Sequence, residues 1–246
     1  MKLFSKFFSN LSNYSSSENS QTEEHAVSIA DNEQSKTSVK TKNMMLVDAY
    51  WNGSTDSVLV SELDNLLQDC STRSEELIKI AELCLPATTN EQLYYASKAY
   101  VWAGASCRKD AIYYLEKYIA SGATYDGTPS DIREVNGVVY DLKAMSISNT
   151  YSDLAKCYEG EYEFDKAIEN YEKAMTLSPH IQSYVISLAN VYVKKNQLEN
   201  AKNVLESATS SEAYKGAGFR TAIDKNLLNI NEKITRGYVY KPRKKK

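Results

Sequence analysis

The sequence predicts an all-α fold, a solenoid made by stacking antiparallel helix pairs. Three observations carry this. Apolar residues recur at helical spacing through most of the chain beyond residue 44. Helix breakers are scarce, with 9 Gly and 4 Pro in 246 residues, too few for a many-turned β fold. The stretch YSDLAKCYEGEYEFDKAIENYEKAMTLSP, Tyr151 to Pro179, also returns in pattern when the chain is shifted by 34 residues.

In that shift Tyr151, Leu154, Ala155 and Tyr158 become Val185, Leu188, Ala189 and Tyr192, while Ala167, Tyr171 and Ala174 become Ala201, Leu205 and Ala208. Large residues fall on large ones and alanine on alanine. On a first helix the leading four share one stripe, and on a second helix the trailing three face it. Alanines let two helix axes approach, and the aromatics fill the space beside them. Neither helix buries its stripe alone, so such pairs must stack.

This pattern resembles the tetratricopeptide repeat. The resemblance implies a right-handed superhelical solenoid, with clear repeats at 148–181 and 182–215. Pro179 supplies the family's closing proline, and Ala213 replaces it in the next copy. A degenerate copy spans about 92–121, where Ala99, Trp102, Ala111 and Leu115 match Ala155, Tyr158, Ala167 and Tyr171 at an offset of 56. That offset is one repeat plus a 22-residue insertion, and the copy departs from the pattern at Lys98 and Tyr118, where Leu and Ala are expected. A hairpin at 57–86 aligns only through Ala81 and Pro86 and is read as repeat-like.

The rest of the chain is organised around this array. The opening MKLFSKFFSNL puts Leu3, Phe4, Phe7, Phe8 and Leu11 on one helical face. Lys6 interrupts the apolar run, which excludes a signal peptide. Two readings stay open, an amphipathic hook for a membrane surface or partner groove, and a frayed leader below the roughly 12–15 residues an isolated helix needs. Residues from about Ser12 to Asn43 are polar and expected to be disordered. The helical domain runs from 44 to 235. Within it MMLVDAYW suggests a short first helix, and Thr72 with Glu75 suggests a capping box. Pro86 marks a stop, and Thr89 with Gln92 a second box. Helices are expected at 90–104 and 108–120, and SGATYDGTPSD as a surface loop. Helix then resumes near Tyr140 and runs to about Glu159. Phe219, Ile223, Leu227, Ile230 and Ile234 mark a capping helix over 219–235.

Chemistry is sparse. The composition, 42% hydrophobic and 25% charged, is that of a soluble protein, and no apolar run is long enough to cross a membrane, so the reading is cytoplasmic. The four cysteines lie at least 14 residues apart, without metal-ligand spacing, and are read as reduced thiols. Only His25 and His180 are histidines, and no phosphate loop, GxSxG or HExxH occurs. Glu159, Glu161, Glu163 and Asp165 are read as a solvated turn rather than a paired-carboxylate site. The expectation is therefore no enzyme, no cofactor, no metal and no small-molecule substrate.

Binding is the better-supported class. The resemblance implies that first helices line a concave groove holding an extended peptide or partner helix. Its groove positions fall at Asn149, Ser152, Lys156 and Glu159, then at Ser183, Ile186, Asn190 and Val193, with Leu93, Ala96 and Tyr100 from the degenerate copy. Lys156 and Asn190 can hydrogen-bond a peptide backbone or a carboxylate. The Lys, Asn and Arg set with which some family members clamp a C-terminal carboxylate is present only in fragments.

The tail is the second candidate. Arg236, Lys241, Arg243, Lys244, Lys245 and Lys246 make six basic residues with no acidic one over 236–246, whereas the other 235 residues carry a net charge of −9. The readings are a nucleic-acid or anionic-membrane contact, an import-like basic cluster, and a solubilising tail that folds back on the acidic body. Tyr238 and Tyr240 could stack on bases. The main functional reading is a non-enzymatic scaffold for a protein or peptide partner, and the alternative is an electrostatic adaptor working through the tail.

Overall fold

The structure, a computed structural model, describes residues 74–122, 132–135, 138–211 and 217–242, all within one unit of the chain spanning 43–246. The expectations for the N-terminal hook and linker, for the helices between 44 and 73 and for Thr72 lie outside these residues. So do those for the loop at 123–131 and for Arg243–Lys246.

Eight α-helices are described: α1 Ser74–Leu83, α2 Asn90–Ala103, α3 Arg108–Ala120, α4 Leu142–Gly160, α5 Phe164–Leu177, α6 Gln182–Lys194, α7 Leu198–Thr209 and α8 Ala217–Thr235. Each packs on the next in chain order, the contact scheme of a solenoid. The capping box that starts α2 is made: Thr89 Oγ1 accepts from Gln92 N at 3.2 Å, and Gln92 Oε1 accepts from Thr89 N at 3.1 Å. A cis peptide bond joins Leu85 and Pro86 just beyond α1.

The recurring alanines sit where helices cross. Ala155, Ala167, Ala174 and Ala201 are fully buried, with Tyr171, Leu205 and Val185 beside them. A larger side chain at an alanine would push the axes apart, which is why the positions recur at the repeat period. The degenerate copy keeps the same crossing: Ala99, Ala111 and Leu115 are fully buried. Trp102 does not follow its counterpart. Tyr158 is buried, but Trp102 is exposed and Ala103 turns inward instead. The chain leaves α2 through Gly104, at φ 96°, and a 3-10 turn Ala105–Cys107, not through the tight turn that ends α4.

A second departure precedes α4. Tyr140 belongs to a strand rather than to the helix. Strands β1 Ile132–Val135 and β2 Val138–Asp141 pair antiparallel, with Arg133 opposite Tyr140 and Glu134 opposite Val139. The helix starts at Leu142 because Asp141 caps it, its Oδ1 accepting from Lys143 N at 3.0 Å and Ala144 N at 3.1 Å. Residues on one face of the hairpin alternate with the other. Tyr140 therefore turns inward while Ile132 and Val139 point to solvent.

Two apolar clusters run through the stack. One joins α1 to α6, from Leu77 and Ile80 through Leu115, Leu154 and Tyr171 to Leu188 and Val191. The other joins Val185, Ala189, Ala201 and Leu205 to Ile223 and Ile230 of α8. The opposite face of α8 carries Arg220, Asp224, Lys225 and Glu232 in solvent, with Leu228 exposed among them.

Candidate peptide-binding surface

The first helices of the two clear repeats, α4 and α6, carry most of the positions expected to line a groove. Lys156, Ser183 and Asn190 are exposed there. Asn149, Glu159 and Ile186 are half-buried, as is Leu93 on α2, whereas Ser152, Val193, Ala96 and Tyr100 are buried in the packing. Tyr100 stacks on Tyr114 at 5.6 Å between ring centres. The arrangement is thus a floor of small and apolar side chains with a few polar groups standing out of it.

Two half-buried positions already have partners. Asn149 Oδ1 accepts from the Tyr184 hydroxyl at 2.6 Å, within a buried network in which Ser148 Oγ lies 3.0 Å from both Ser178 Oγ and Tyr184 Oη. Glu159 accepts from Lys194 Nζ at 2.5 Å and from the Tyr171 hydroxyl at 3.2 Å. Both tie one repeat to the next.

The strongest electrostatic feature of this surface lies outside the expected residues. Asp153 on α4 receives Lys98 Nζ of α2 at 2.7 Å and Lys156 Nζ at 3.3 Å. Lys98 is the position where the repeat pattern calls for leucine, and Asp153 is its compensation. Burial pushes the Asp153 carboxyl upward, but Lys98 and then Lys156 outweigh it and hold the group below the ordinary carboxylate range. A departure from a repeat pattern toward a charged residue at a buried position is the signal that points to it.

The acidic turn is a set of paired charges. Glu159 holds Lys194, Glu161 faces Arg108 at 3.7 Å, Glu163 holds Lys166 at 2.7 Å, and Asp165 pairs with Lys195. Arg108 also donates to Gly160 O at 3.1 Å, and a Cβ at Gly160 would fall 2.6 Å from Arg108 Cζ. His180 is buried, its ring 4.5 Å from that of Tyr140, and burial lowers its pKa. Cys84, Cys107 and Cys157 are free and buried, and burial raises the first to about 12 and the last to about 11. Among the described residues no three of His, Cys, Asp or Glu gather as metal ligands, and no helix is long and apolar enough to cross a membrane.

With this geometry in place, comparison with family profiles matches the tetratricopeptide repeat at residues 148–181 and 183–214. The chain thus carries two tetratricopeptide repeats. Its two matched repeats are the helix pairs α4–α5 and α6–α7. Comparison with curated proteins returned no match. Among solved structures, the nearly identical TPR-like repeats of a putative kinesin light chain from Podosopora anserina align at 15% identity, covering 80% of this chain and 87% of that one, with a TM-score of 0.48. MamA from Desulfovibrio magneticus RS-1 aligns at 15% identity over 72% and 97%, TM-score 0.40. A thermophilic TPR protein of Thermus thermophilus aligns at 15% over 77% and 99%, TM-score 0.39. Tetratricopeptide repeats are protein-interaction modules, and in that general sense the chain is an interaction scaffold.

Proposed function

We propose that α4 and α6 dock an extended peptide or a partner helix without catalysing a reaction. One observation carries this reading. Lys156, Ser183 and Asn190 stand exposed on first helices whose opposite faces are spent on alanine crossings. Lys156 is steered by Asp153 yet keeps a side chain 58% exposed, so its ammonium has donors to spare for a carboxylate or a main-chain carbonyl. Asn190 offers both a donor and an acceptor, the pair an extended backbone takes. Ser152, Val193 and Tyr100 form the floor beneath. The buried free thiols suit a reducing compartment such as the cytoplasm.

The test is site-specific photo-crosslinking from positions 183 and 190, with position 224 on the outer face of α8 as control. The expected result is one protein species captured at both groove positions, absent at the control, retained in high salt and diminished by Lys156→Glu. Equal capture at the control position would refute the reading. The basic tail supports a separate adaptor reading, since Arg236 and Lys241 are exposed and the charge is segregated. Binding through six cations to a duplex would fall with salt at a slope of about −5 in log–log form, and removal of residues 236–246 would abolish it.

A further inference from the structure

The chain leaves α8 by the same turn that ends α4 and α6. In all three the backbone N–H groups reach back identically: Glu161 to Cys157, Tyr162 to Glu159 and Glu163 to Tyr158; Lys195 to Val191, Asn196 to Val193 and Gln197 to Tyr192; Arg236 to Glu232, Gly237 to Ile234 and Tyr238 to Lys233. The middle residue of each has a left-handed backbone, φ 66° at Tyr162, 60° at Asn196 and 61° at Gly237. After α4 and α6 a second helix follows. After α8 comes the non-helical segment Tyr238–Pro242 instead.

Its landing point is the α6–α7 turn. Tyr240 N donates to Asn196 Oδ1 at 2.5 Å, and Asn196 Nδ2 donates to Tyr240 O at 3.4 Å. One carboxamide thus takes both main-chain groups of one residue, 44 positions away, as a neighbouring strand would. Tyr238 is steadied by Lys233, whose ammonium lies 5.5 Å from the ring centre. Asn suits the site twice over. It tolerates the left-handed backbone, and its amide is a donor–acceptor pair.

We propose that Asn196 is a docking point for the backbone of an extended peptide, and that the chain's own segment Val239–Lys241 occupies it as a latch. The site reads main chain, not side chain. It lies at the α6–α7 turn, three residues past the expected groove position Val193, and is open to the same segment of a second copy when the latch lifts.

The experiment uses the full chain, with Asn196→Gly to remove the carboxamide while keeping the left-handed backbone, and Tyr240→Pro to remove the latch N–H. The first readout is amide hydrogen exchange at Tyr240. Wild type should slow it by about tenfold or more relative to an unstructured chain, and Asn196→Gly should abolish that protection while α6 and α7 stay protected. The second is anisotropy of a labelled YVYKPRKKK peptide. Tyr240→Pro should bind it about tenfold more tightly than wild type, and the double variant Asn196→Gly/Tyr240→Pro should lose the gain. An unprotected Tyr240 amide in wild type overturns the latch. Equal peptide binding by wild type and Tyr240→Pro, or by the single and double variants, overturns Asn196 as the masked site.

Discussion

Replacing Lys98 with leucine restores the repeat pattern and should nevertheless destabilise the protein. The pair it breaks is close, at 2.7 Å, and its side chains are only 11% and 17% exposed. At an effective dielectric near 20 the attraction at that distance is on the order of 6 kcal/mol, but most of it offsets the desolvation of two ions. Breaking one side of a buried pair costs about 3–5 kcal/mol because a charge is left behind. Lys156 stays 3.3 Å from Asp153 and softens the loss, so about 2–3 kcal/mol is expected for Lys98→Leu, or roughly 4–12 °C in Tm for a domain this size. Asp153→Ser installs what the next repeat has at Ser187 and should cost a similar amount. The double variant should cost about 2 kcal/mol less than the sum. Asp153 has a depressed folded pKa, so its contribution is present above the unfolded value near 4 and is lost as pH falls through the folded one. Lys98→Leu should therefore move the acid limb of unfolding to higher pH. Urea titration of the four chains at neutral pH, with circular dichroism, measures the cycle. A coupling below about 0.5 kcal/mol, within ordinary additivity error, would refute the argument.

Further outcomes follow from single contacts. Gly160→Ala should be neutral to about 1 kcal/mol destabilising, because the new Cβ displaces the Arg108 side chain; in an Arg108→Ala background it should instead stabilise by about 0.5–1 kcal/mol through helix propensity, read by thermal melts. Cys84 and Cys157, raised to about 12 and about 11 by burial, should react with an aromatic disulfide reagent at pH 8 only as the protein unfolds. Burial lowers the His180 pKa, so stability is held above the unfolded value near 6.5 and falls as pH drops below it, by at most about 1.4 kcal/mol per unit. His180→Phe should flatten the Tm profile between pH 7.5 and 5.5; an unchanged slope would count against the buried imidazole.

The parts of the fold legible in the sequence are those where one helix face meets another at a fixed period. The 34-residue pattern locates Ala155, Ala167, Ala189 and Ala201, and each is buried at a crossing. The hairpin before α4 escapes a reading by helical period, although IREV-NG-VVYD carries Asn-Gly between two β-branched runs, the strongest short signal for such a turn. Trp102 departs from its expected inward place because in the last turn of α2, before Gly104 ends the helix, Ala103 takes the buried position. Of the groove positions, Lys156, Ser183 and Asn190 stand exposed while Tyr100, Ser152 and Val193 are buried. Period alone does not distinguish an exposed position from a buried one on the same helix.

By itself the sequence determined helix pairing, the alanine crossings within the repeats and the capping box at Thr89. All of these are set by near neighbours along the chain, where side-chain size and spacing decide the outcome. Only the tertiary structure decided that Lys98 belongs to Asp153, that Glu159 belongs to Lys194, that His180 lies under Tyr140, and that the tail comes home to Asn196. These partners are 35 to 55 residues apart, or meet across a turn whose backbone angles set the direction. Polar partners are chosen by distance and desolvation in three dimensions, which no periodicity along the chain records.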